Sequence, residues 1–255
     1  MENPHKLQPR TSLLIRRLST LCQLSDGEQQ ALLGKLSPPR ILRKGEEIVS
    51  DGLTVHVLAS GMACRYRVLG SGQRQIASLL LPGDIVDFYS PVIDTLGDSV
   101  STLTSCEIVS IRIDRLRALV EATPNLGTAL WRYCLSQCAI LQSWLINLRR
   151  RNAAERLAHL FCEQFVRLKS VGLAESGRPF RFPVGQADLA DATAMSSVHV
   201  NRTLQCLRKQ HLIGIDAEQV EILDWGALQE LADFDPTYLH LREAGTALRT
   251  ARSAA

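Results

Sequence analysis

The feature that most constrains the fold is a change of hydrophobic period near Asp114. From residue 40 to 113, short runs of alternating apolar residues, such as 55–58 and 108–111, are separated by glycines at turn positions. Short, evenly spaced strands are typical of an antiparallel roll or barrel. After Asp114 the apolar residues follow a helical period, and residues 10–36 are predicted to form short helices packed on the roll. The sequence therefore predicts an α+β fold.

Composition narrows the class of protein. The chain has 255 residues, of which 45% are hydrophobic and 22% charged, as in ordinary globular proteins of one or two domains. No run approaches the roughly 20 apolar residues of a membrane-spanning helix, and residues 1–10 lack the apolar core of a signal peptide. We therefore expect a cytoplasmic protein with no membrane partner. The seven cysteines form no CxxC pair, which argues against a zinc ribbon or a secreted disulfide framework.

The second half of the chain has an uneven charge distribution. Residues 149–211 carry eleven Lys and Arg against five Asp and Glu, whereas residues 212–255 are acidic overall. A basic block favours a module that faces phosphates, although an ordinary solvated surface can also produce such a swing.

One long helix is predicted from Pro124 to about Leu148. Six of its residues recur at intervals of four and three, as in the seam between two parallel helices. These are Leu130, Cys134, Gln137, Leu141, Trp144 and Leu148. Gln137 lies mid-seam, where a polar residue can fix the register. A second stripe, formed by Leu126, Ala129, Tyr133 and Ile140, predicts packing on the roll. The alternative is that the whole helix lies on the core of its own domain.

Residues 186–209 carry the predicted function. After a basic junction at 149–152, a helix over 153–170 and a short strand at 180–182, this segment reads as two short helices around a turn at 194–196. Ser196 can cap the second helix. If Val200, Leu204 and Leu207 face inward, the outward face is polar and suits reading of the DNA major groove.

The predicted DNA-contacting set is the outward face of this second helix together with its cap and the start of the first helix. It comprises Gln186, Ser196, Ser197, Val198, His199, Asn201, Arg202 and Gln205. Arginine can donate two hydrogen bonds to guanine, asparagine and histidine can bond base edges or phosphates, and valine can touch a thymine methyl group. Residues 211–215 and 219–223 follow as two predicted strands, which would make a winged helix. The alternative is an ordinary helical hairpin with a polar surface.

The sequence resembles the Crp-Fnr family of regulators over about residues 20–240. The resemblance rests on the segments 44–46 (Lys-Gly-Glu), 58–61 (Leu-Ala-Ser-Gly), 74–84 (from Arg-Gln-Ile to Leu-Pro-Gly-Asp), 154–158 (Ala-Glu-Arg-Leu-Ala) and 198–204 (Val-His-Val-Asn-Arg-Thr-Leu). It implies a double-stranded, cyclic-nucleotide-binding-like β-roll over 1–115, a dimerisation helix over 116–150, a winged helix-turn-helix over 151–240 and a tail over 241–255. It also implies a homodimer that binds a palindromic DNA site, and RNA polymerase as a partner.

The sequence departs from the family pattern at positions that affect the expected cofactors and the predicted DNA-binding segment 186–209. Members that bind cyclic nucleotide use a Gly-Glu and an Arg-Ser or Arg-Thr pair, where this chain has Gly83-Asp84 and Asp98-Ser99. An aspartate there would repel a phosphate, and Cys22 alone cannot hold an iron-sulfur cluster. The sequence thus argues against both cofactors, and we expect none. Where the family usually has Gly this chain has Ala194, and where many members have Glu it has Val198.

Two other classes of protein contain a β-roll or barrel of this kind. A cupin-like metalloenzyme needs several clustered ligands, and residues 40–115 contain His56 and no second histidine. A cyclic-nucleotide-type regulatory module without DNA binding is disfavoured by the basic second helix of segment 186–209. The sequence leaves open the effector, the target genes and whether the protein activates or represses.

Overall fold

The computed structural model describes residues 12–89, 92–93 and 97–241. The N-terminal half of the protein is a β-roll. Two antiparallel three-stranded sheets form it, with the strand orders β1-β6-β2 and β4-β3-β5. The strands are β1 (Arg40–Leu42), β2 (Thr54–Ser60), β3 (Ala63–Val68), β4 (Arg74–Leu80), β5 (Ser99–Thr102) and β6 (Cys106–Arg112). The predicted roll is thereby confirmed.

The two sheets enclose a small apolar interior. Alternation along the strands directs one set of side chains between the sheets. This interior cluster contains Leu42, Ile48, Leu58, Ala63, Leu80, Val86, Val100, Cys106 and Ile108. Because each sheet also has apolar side chains on its outer face, both outer faces need a cover.

Helices cover the outer face of the first sheet. They are α1 (Ser12–Ser19), α2 (Asp26–Leu33), α3 (Ile113–Ala122) and the first half of α4 (Pro124–Arg150). The helices predicted before the roll are confirmed, and the domain boundary predicted at residue 115 lies within α3. The hydroxyl of Tyr133 on α4 accepts a hydrogen bond from the Ile85 amide at 3.0 Å, which fixes the rotation of α4 on the roll.

The C-terminal half covers the outer face of the second sheet. Its elements are α5 (Ala153–Ser170), β7 (Phe180–Arg181), α6 (Gln186–Thr193), α7 (Ser197–Lys209), β8 (Ile213–Asp216), β9 (Gln219–Ile222), α8 (Trp225–Ala232) and a 3-10 helix (Pro236–Leu239). One apolar core runs from Ile76 and Leu79 of the roll through Phe161 of α5 to Leu207 of α7. The two halves therefore pack as one body.

The junction between α4 and α5 is a tight turn. The side chain of Asn152 accepts hydrogen bonds from the amides of Ala154 and Glu155, and the Glu155 side chain accepts from the Asn152 amide, which makes a capping box. The cap begins a new helix directly after the first one ends at Arg150. Within the described residues, none of these helices combines the length and the apolar character needed to cross a bilayer.

The predicted seam on α4 needs a correction. Gln137 and Trp144 are only 8% and 5% exposed and face the core of their own chain, and the Trp144 indole donates to Glu163 at 3.0 Å. The exposed apolar side chains lie one residue further along the helix, with Trp131 70%, Leu135 58% and Leu145 65% exposed. The rest of the predicted seam is half-buried at Leu130, Cys134 and Leu148, and exposed at Leu141.

The physical reason is that α4 carries two staggered apolar repeats, and docking on the roll selects which one is buried. The stripe predicted to pack on the roll, Leu126, Ala129, Tyr133 and Ile140, is buried as expected. When α4 is rotated so that this stripe faces the roll, Gln137 and Trp144 also face inward.

Candidate DNA-binding site

Helices α6 and α7 form a helix-turn-helix around Ala194. Ala194 ends α6 in the left-handed conformation, with φ +53° and ψ +46°, and its amide donates to the Ala190 carbonyl. This conformation costs a residue with a Cβ about 1 kcal/mol relative to glycine. Ala194, which stands where the family usually has glycine, is therefore a source of strain in the turn.

Ser196 caps the N-terminus of α7. Its hydroxyl accepts a hydrogen bond from the His199 amide at 3.2 Å. The first turn of a helix has amides without intrahelical partners and carries partial positive charge, so it attracts phosphate oxygens. The predicted cap is confirmed.

The two faces of α7 differ as the sequence predicted. Val200, Leu204 and Leu207 are buried in the core shared with α5 and α6. Every member of the predicted contact set is exposed: Gln186, Ser196, Ser197, Val198, His199, Asn201, Arg202 and Gln205. These eight exposed residues are here called the reader face. Their contact with DNA stays a prediction.

Arg202 is an exposed member of the reader face. Among the residues that the structure describes, none forms an ion pair with its guanidinium. Asn201 and Gln205 are linked along the helix at 3.5 Å. All five N–H donors of Arg202 are therefore available to a ligand, and a guanidinium fork matches the O6 and N7 atoms of guanine.

Ion pairs with the roll hold the reader face in position. Arg74 on β4 lies 2.6 Å from Asp191 and also pairs with Asp188, both on α6. The Gln75 amide donates to the Asp191 carbonyl at 2.6 Å. The sequence pattern does not predict this contact; the charge of Arg74 within the family-like segment is its only local sign.

A second brace comes from α5. Arg156 donates to the Thr193 carbonyl at 3.2 Å, just before the turn, and to the Arg151 carbonyl at 2.9 Å. Arg156 thus ties the turn between α6 and α7 to the junction at the end of α4.

The predicted wing is present. Strands β8 and β9 form a hairpin, and β7 completes a sheet in the order β7-β9-β8. Its tip carries Asp216 and Glu218, and Glu218 pairs with Arg181 at 2.8 Å. Strand β8 packs against α7, so the wing supports this helix.

Gly83, Asp84 and Asp98, at which the sequence departs from the family pattern, are in contact with other parts of the chain. Gly83 has φ +93°, and a Cβ there would come within 2.6 Å of the Leu13 carbonyl. The following Asp84 is fully buried between Arg17 and Arg167, and Asp98 pairs with Arg67. Both carboxylates therefore form ion pairs with arginines of the same chain.

His56 is tied into the roll as well. Its Nδ1 lies 2.7 Å from Oδ2 of Asp87, and its amide donates to Oδ1 of the same residue at 2.6 Å. This arrangement is that of a structural histidine, and it gives His56 a role in positioning the segment around Asp87.

Comparisons with known proteins agree with this architecture. A model of the cyclic nucleotide-binding domain matches residues 39–123, and a model of the Crp-like helix-turn-helix domain matches residues 155–231. Together they cover more than half of the chain. The second match disfavours a sensor module that lacks DNA binding.

Relatives and a solved structure extend the match. The transcriptional activator protein FnrL of Cereibacter sphaeroides is 26% identical over 225 residues, which span 86% of this chain and 90% of FnrL. The nitrogen fixation regulation protein FixK of Azorhizobium caulinodans is 26% identical over 204 residues, 78% of this chain and 81% of FixK. The structure of FixK2 from Bradyrhizobium japonicum superposes with a TM-score of 0.66 at 22% identity, covering 76% of this chain and 96% of FixK2.

The family assignment also indicates partners. Crp-Fnr proteins are transcriptional regulators rather than enzymes, and they bind DNA as dimers, so DNA and a second copy of the chain are its partners. The order of roll, long helix and winged helix-turn-helix, the exposed reader face and the two matching domain models lead to one assignment: the chain belongs to the Crp-Fnr family of DNA-binding transcriptional regulators.

Proposed function

We propose that the protein is a homodimer that reads a palindromic DNA site by placing one α7 in each of two successive major grooves. The observation that carries this proposal is the exposed, unpaired Arg202 on the reader face. In such dimers the two recognition helices lie about one DNA turn, roughly 34 Å, apart. Arg202 contacts guanine and Val198 contacts a thymine methyl group in this proposal.

Dimerisation proceeds through the exposed stripe of α4 rather than through the seam predicted from the sequence. Trp131, Leu135, Cys138 and Leu145 follow intervals of four, three and seven residues along one side of the helix, and all four are exposed. Two such stripes in parallel give the knobs-into-holes packing of a coiled coil. Burial of large apolar side chains favours association, because each contributes roughly 1.5–3 kcal/mol on leaving water.

The roll serves as the sensor for a signal that sets the position of α4 and the reader faces. The contacts of Arg74 and Arg156 give two routes from the roll and from α4 to the turn at Ala194. Cyclic AMP is not the signal in this proposal, since Asp84 and Asp98 are held by arginines. An iron-sulfur cluster is not required either. RNA polymerase is the partner through which the bound dimer regulates a promoter, by analogy with relatives named as transcriptional activators.

Selection of bound fragments from genomic DNA tests the proposal. The wild-type protein should enrich fragments that share an inverted repeat. The variant R202A should lose about 5- to 150-fold in affinity for these fragments, because one bidentate contact is worth about 1–3 kcal/mol. R115A, which removes an exposed arginine on α3, should bind as the wild type does. Equal enrichment of the same motif by R202A would contradict the assignment of the reader face.

A further inference from the structure

A cavity of about 400 Å³ lies outside the roll, between the outer face of the first sheet, α3 and α4. Its buried wall is formed by Val55, Ile85 and Tyr133, which are 2%, 4% and 1% exposed. None of the residues of the interior cluster of the roll lines it. The volume is within the range of about 300–1,000 Å³ that is usual for small-molecule sites. This space is here called the α3–α4 cavity.

The two helices supply the side walls of the cavity. Leu116 and Val120 line it from α3, and Leu130 and Cys134 line it from α4. Burial raises the pKa of the half-buried Cys134 thiol, so this group stays uncharged near neutral pH. The side walls are therefore apolar.

Polar groups at the cavity either have partners within the protein or cancel in charge. The Tyr133 hydroxyl accepts a hydrogen bond from the Ile85 amide at 3.0 Å and donates to the Ile85 carbonyl at 3.3 Å. Among the described residues that line the cavity, the charged ones are Arg117 and Glu121, which are exposed on α3 and opposite in sign. No buried side-chain atom without a hydrogen-bond partner belongs to this described lining. Burial of a charged ligand here would therefore be costly, whereas an uncharged one fits.

The exposed members of the lining show where the cavity opens to solvent. Val92 is 86% and Trp131 70% exposed. The half-buried ring of Phe88 meets the Tyr133 ring edge-on, with the centroids 5.9 Å apart. Aromatic rings prefer edge-to-face and offset-stacked partners. Phe88, Trp131 and Tyr133 thus offer matching surfaces to an aromatic ligand.

We propose that the α3–α4 cavity binds an uncharged, apolar molecule with an aromatic body. Apolar cavities bind apolar molecules in preference to ordered water, and contact with Val55, Leu116 and Leu130 removes the surface of the ligand from water. The inference gives a chemical class to the signal proposed above, so it rests on the proposal that the roll half of the protein is a sensor.

The position of the cavity links such a ligand to the dimer helix. The ligand contacts the roll through Val55 and contacts α4 through Leu130 and Cys134. Trp131, which also lines the cavity, belongs to the exposed stripe through which the dimer is proposed to form. A ligand that fits one position of α4 better than another shifts the population toward that position.

Fluorescence titration of the full chain without DNA tests the site. The probe is 1-anilinonaphthalene, which is uncharged and emits strongly in apolar surroundings, and the wild type should bind it saturably. 1-Methylnaphthalene and 1-naphthoate then compete for the bound probe, since they share a ring system and differ in charge. The naphthoate should need a concentration at least roughly tenfold higher than the hydrocarbon, because the cavity offers no compensating cation.

Two variants complete the experiment. C134F places a phenyl ring in the cavity and should weaken probe binding at least roughly tenfold, because the ring takes up space that the ligand needs. C206F makes the same change at an exposed cysteine of α7 outside the cavity and should bind as the wild type does.

The proposal is overturned if the wild type binds no probe, if the naphthoate competes as well as the hydrocarbon, or if C134F binds unchanged. Binding to the L135D monomer but not to the wild-type dimer would overturn it as well, since the partner subunit would then fill the cavity. The comparison of competitors needs only the wild-type protein, so it decides even if C134F fails to fold. Because no DNA is present, failure here leaves the reading of DNA by α7 untouched.

Discussion

Arg167 of α5 and Asp84 of the roll form a buried ion pair, with Nη2 of the arginine 2.7 Å from Oδ2 of the aspartate. Arg17 of α1 lies 3.2 Å from the other carboxylate oxygen, and Glu163 lies 3.4 Å from Arg167. The two cations and two anions balance, and all four side chains are almost fully buried. This cluster joins the N-terminal helix, the roll and the DNA-binding half at one point.

Replacing Asp84 should lower the free energy of unfolding, because the cluster loses the carboxylate that its two arginines share. D84N leaves Arg17 and Arg167 without their shared carboxylate, so the free energy of unfolding should fall by about 3–5 kcal/mol. D98N breaks the more exposed pair with Arg67 and should cost about 0–1 kcal/mol. Urea denaturation at one protein concentration measures both. A loss below 1 kcal/mol in D84N would show that the cluster does not stabilise the fold.

The dimer interface is tested by charge on the exposed stripe of α4. L135D and L145D place a carboxylate in a seam that is apolar in the dimer, and each should produce monomers. L173D introduces the same charge at an exposed leucine outside α4 and should leave the dimer intact. Sedimentation equilibrium gives the masses. Dimers of L135D at the wild-type dissociation constant would rule out this stripe.

Arg74 should hold α6 against the roll. R74A removes the ion pairs with Asp188 and Asp191, so the amides of Gln186–Thr193 should exchange with solvent faster, because local opening of α6 becomes easier. R115A should leave their exchange unchanged. Hydrogen exchange followed by mass spectrometry reports both variants, and wild-type protection of α6 in R74A would contradict the role given to this contact.

The strained turn of the helix-turn-helix should be relieved by glycine. Because Ala194 has φ +53°, A194G should raise the free energy of unfolding by up to about 1 kcal/mol, less the gain in freedom of the unfolded chain. A187G, at an exposed position within α6, should lower it by about 0.5–1 kcal/mol. Thermal unfolding compares the two, and destabilisation by both would show that the turn does not need the left-handed conformation.

His159 should make the protein sensitive to acid. Burial, with a contribution from Arg151, lowers the pKa of His159 from 6.5 to about 3. The unfolded chain therefore binds a proton that the folded chain excludes, and stability present above pH 6.5 is lost as the pH falls toward 3. The loss is at most about 1.4 kcal/mol per pH unit for one group.

The matched variant H159Q does not titrate and can still bond to Ser143, which lies 3.2 Å from the imidazole Nε2. Between pH 6.5 and pH 4.5 the wild type should lose more stability than H159Q. Parallel stability curves for the two proteins would indicate that His159 accepts a proton in the folded state.

Local patterns were enough to predict most of the fold. The alternation in the roll, the helix from Pro124, the capping serine at 196 and the inward stripe of Val200, Leu204 and Leu207 are all short-range features, and the structure has each of them. The exposure of the reader face followed from that stripe, since the opposite side of a short helix faces solvent.

Contacts between distant segments could not be predicted in this way. Two apolar repeats on α4 differ by one residue, and the packing of α4 on the roll decides which of them is buried. Likewise, Asp84 and Arg167 are far apart in the chain, and no local sequence pattern predicts that they pair. Long-range ion pairs form only when distant segments pack together, so local patterns do not predict them.

Photocross-linking tests the central claim, that α7 enters the major groove, most directly. A selected duplex with 5-iodouracil in place of thymine carries its reactive atom in the major groove, where the thymine methyl group would lie. Irradiation should attach the protein through the start of α7, around Val198, at two positions roughly 34 Å apart, as read by mass spectrometry of the linked peptides. Cross-links confined to the roll or to the wing, with none in Ser197–Lys209, would contradict the account.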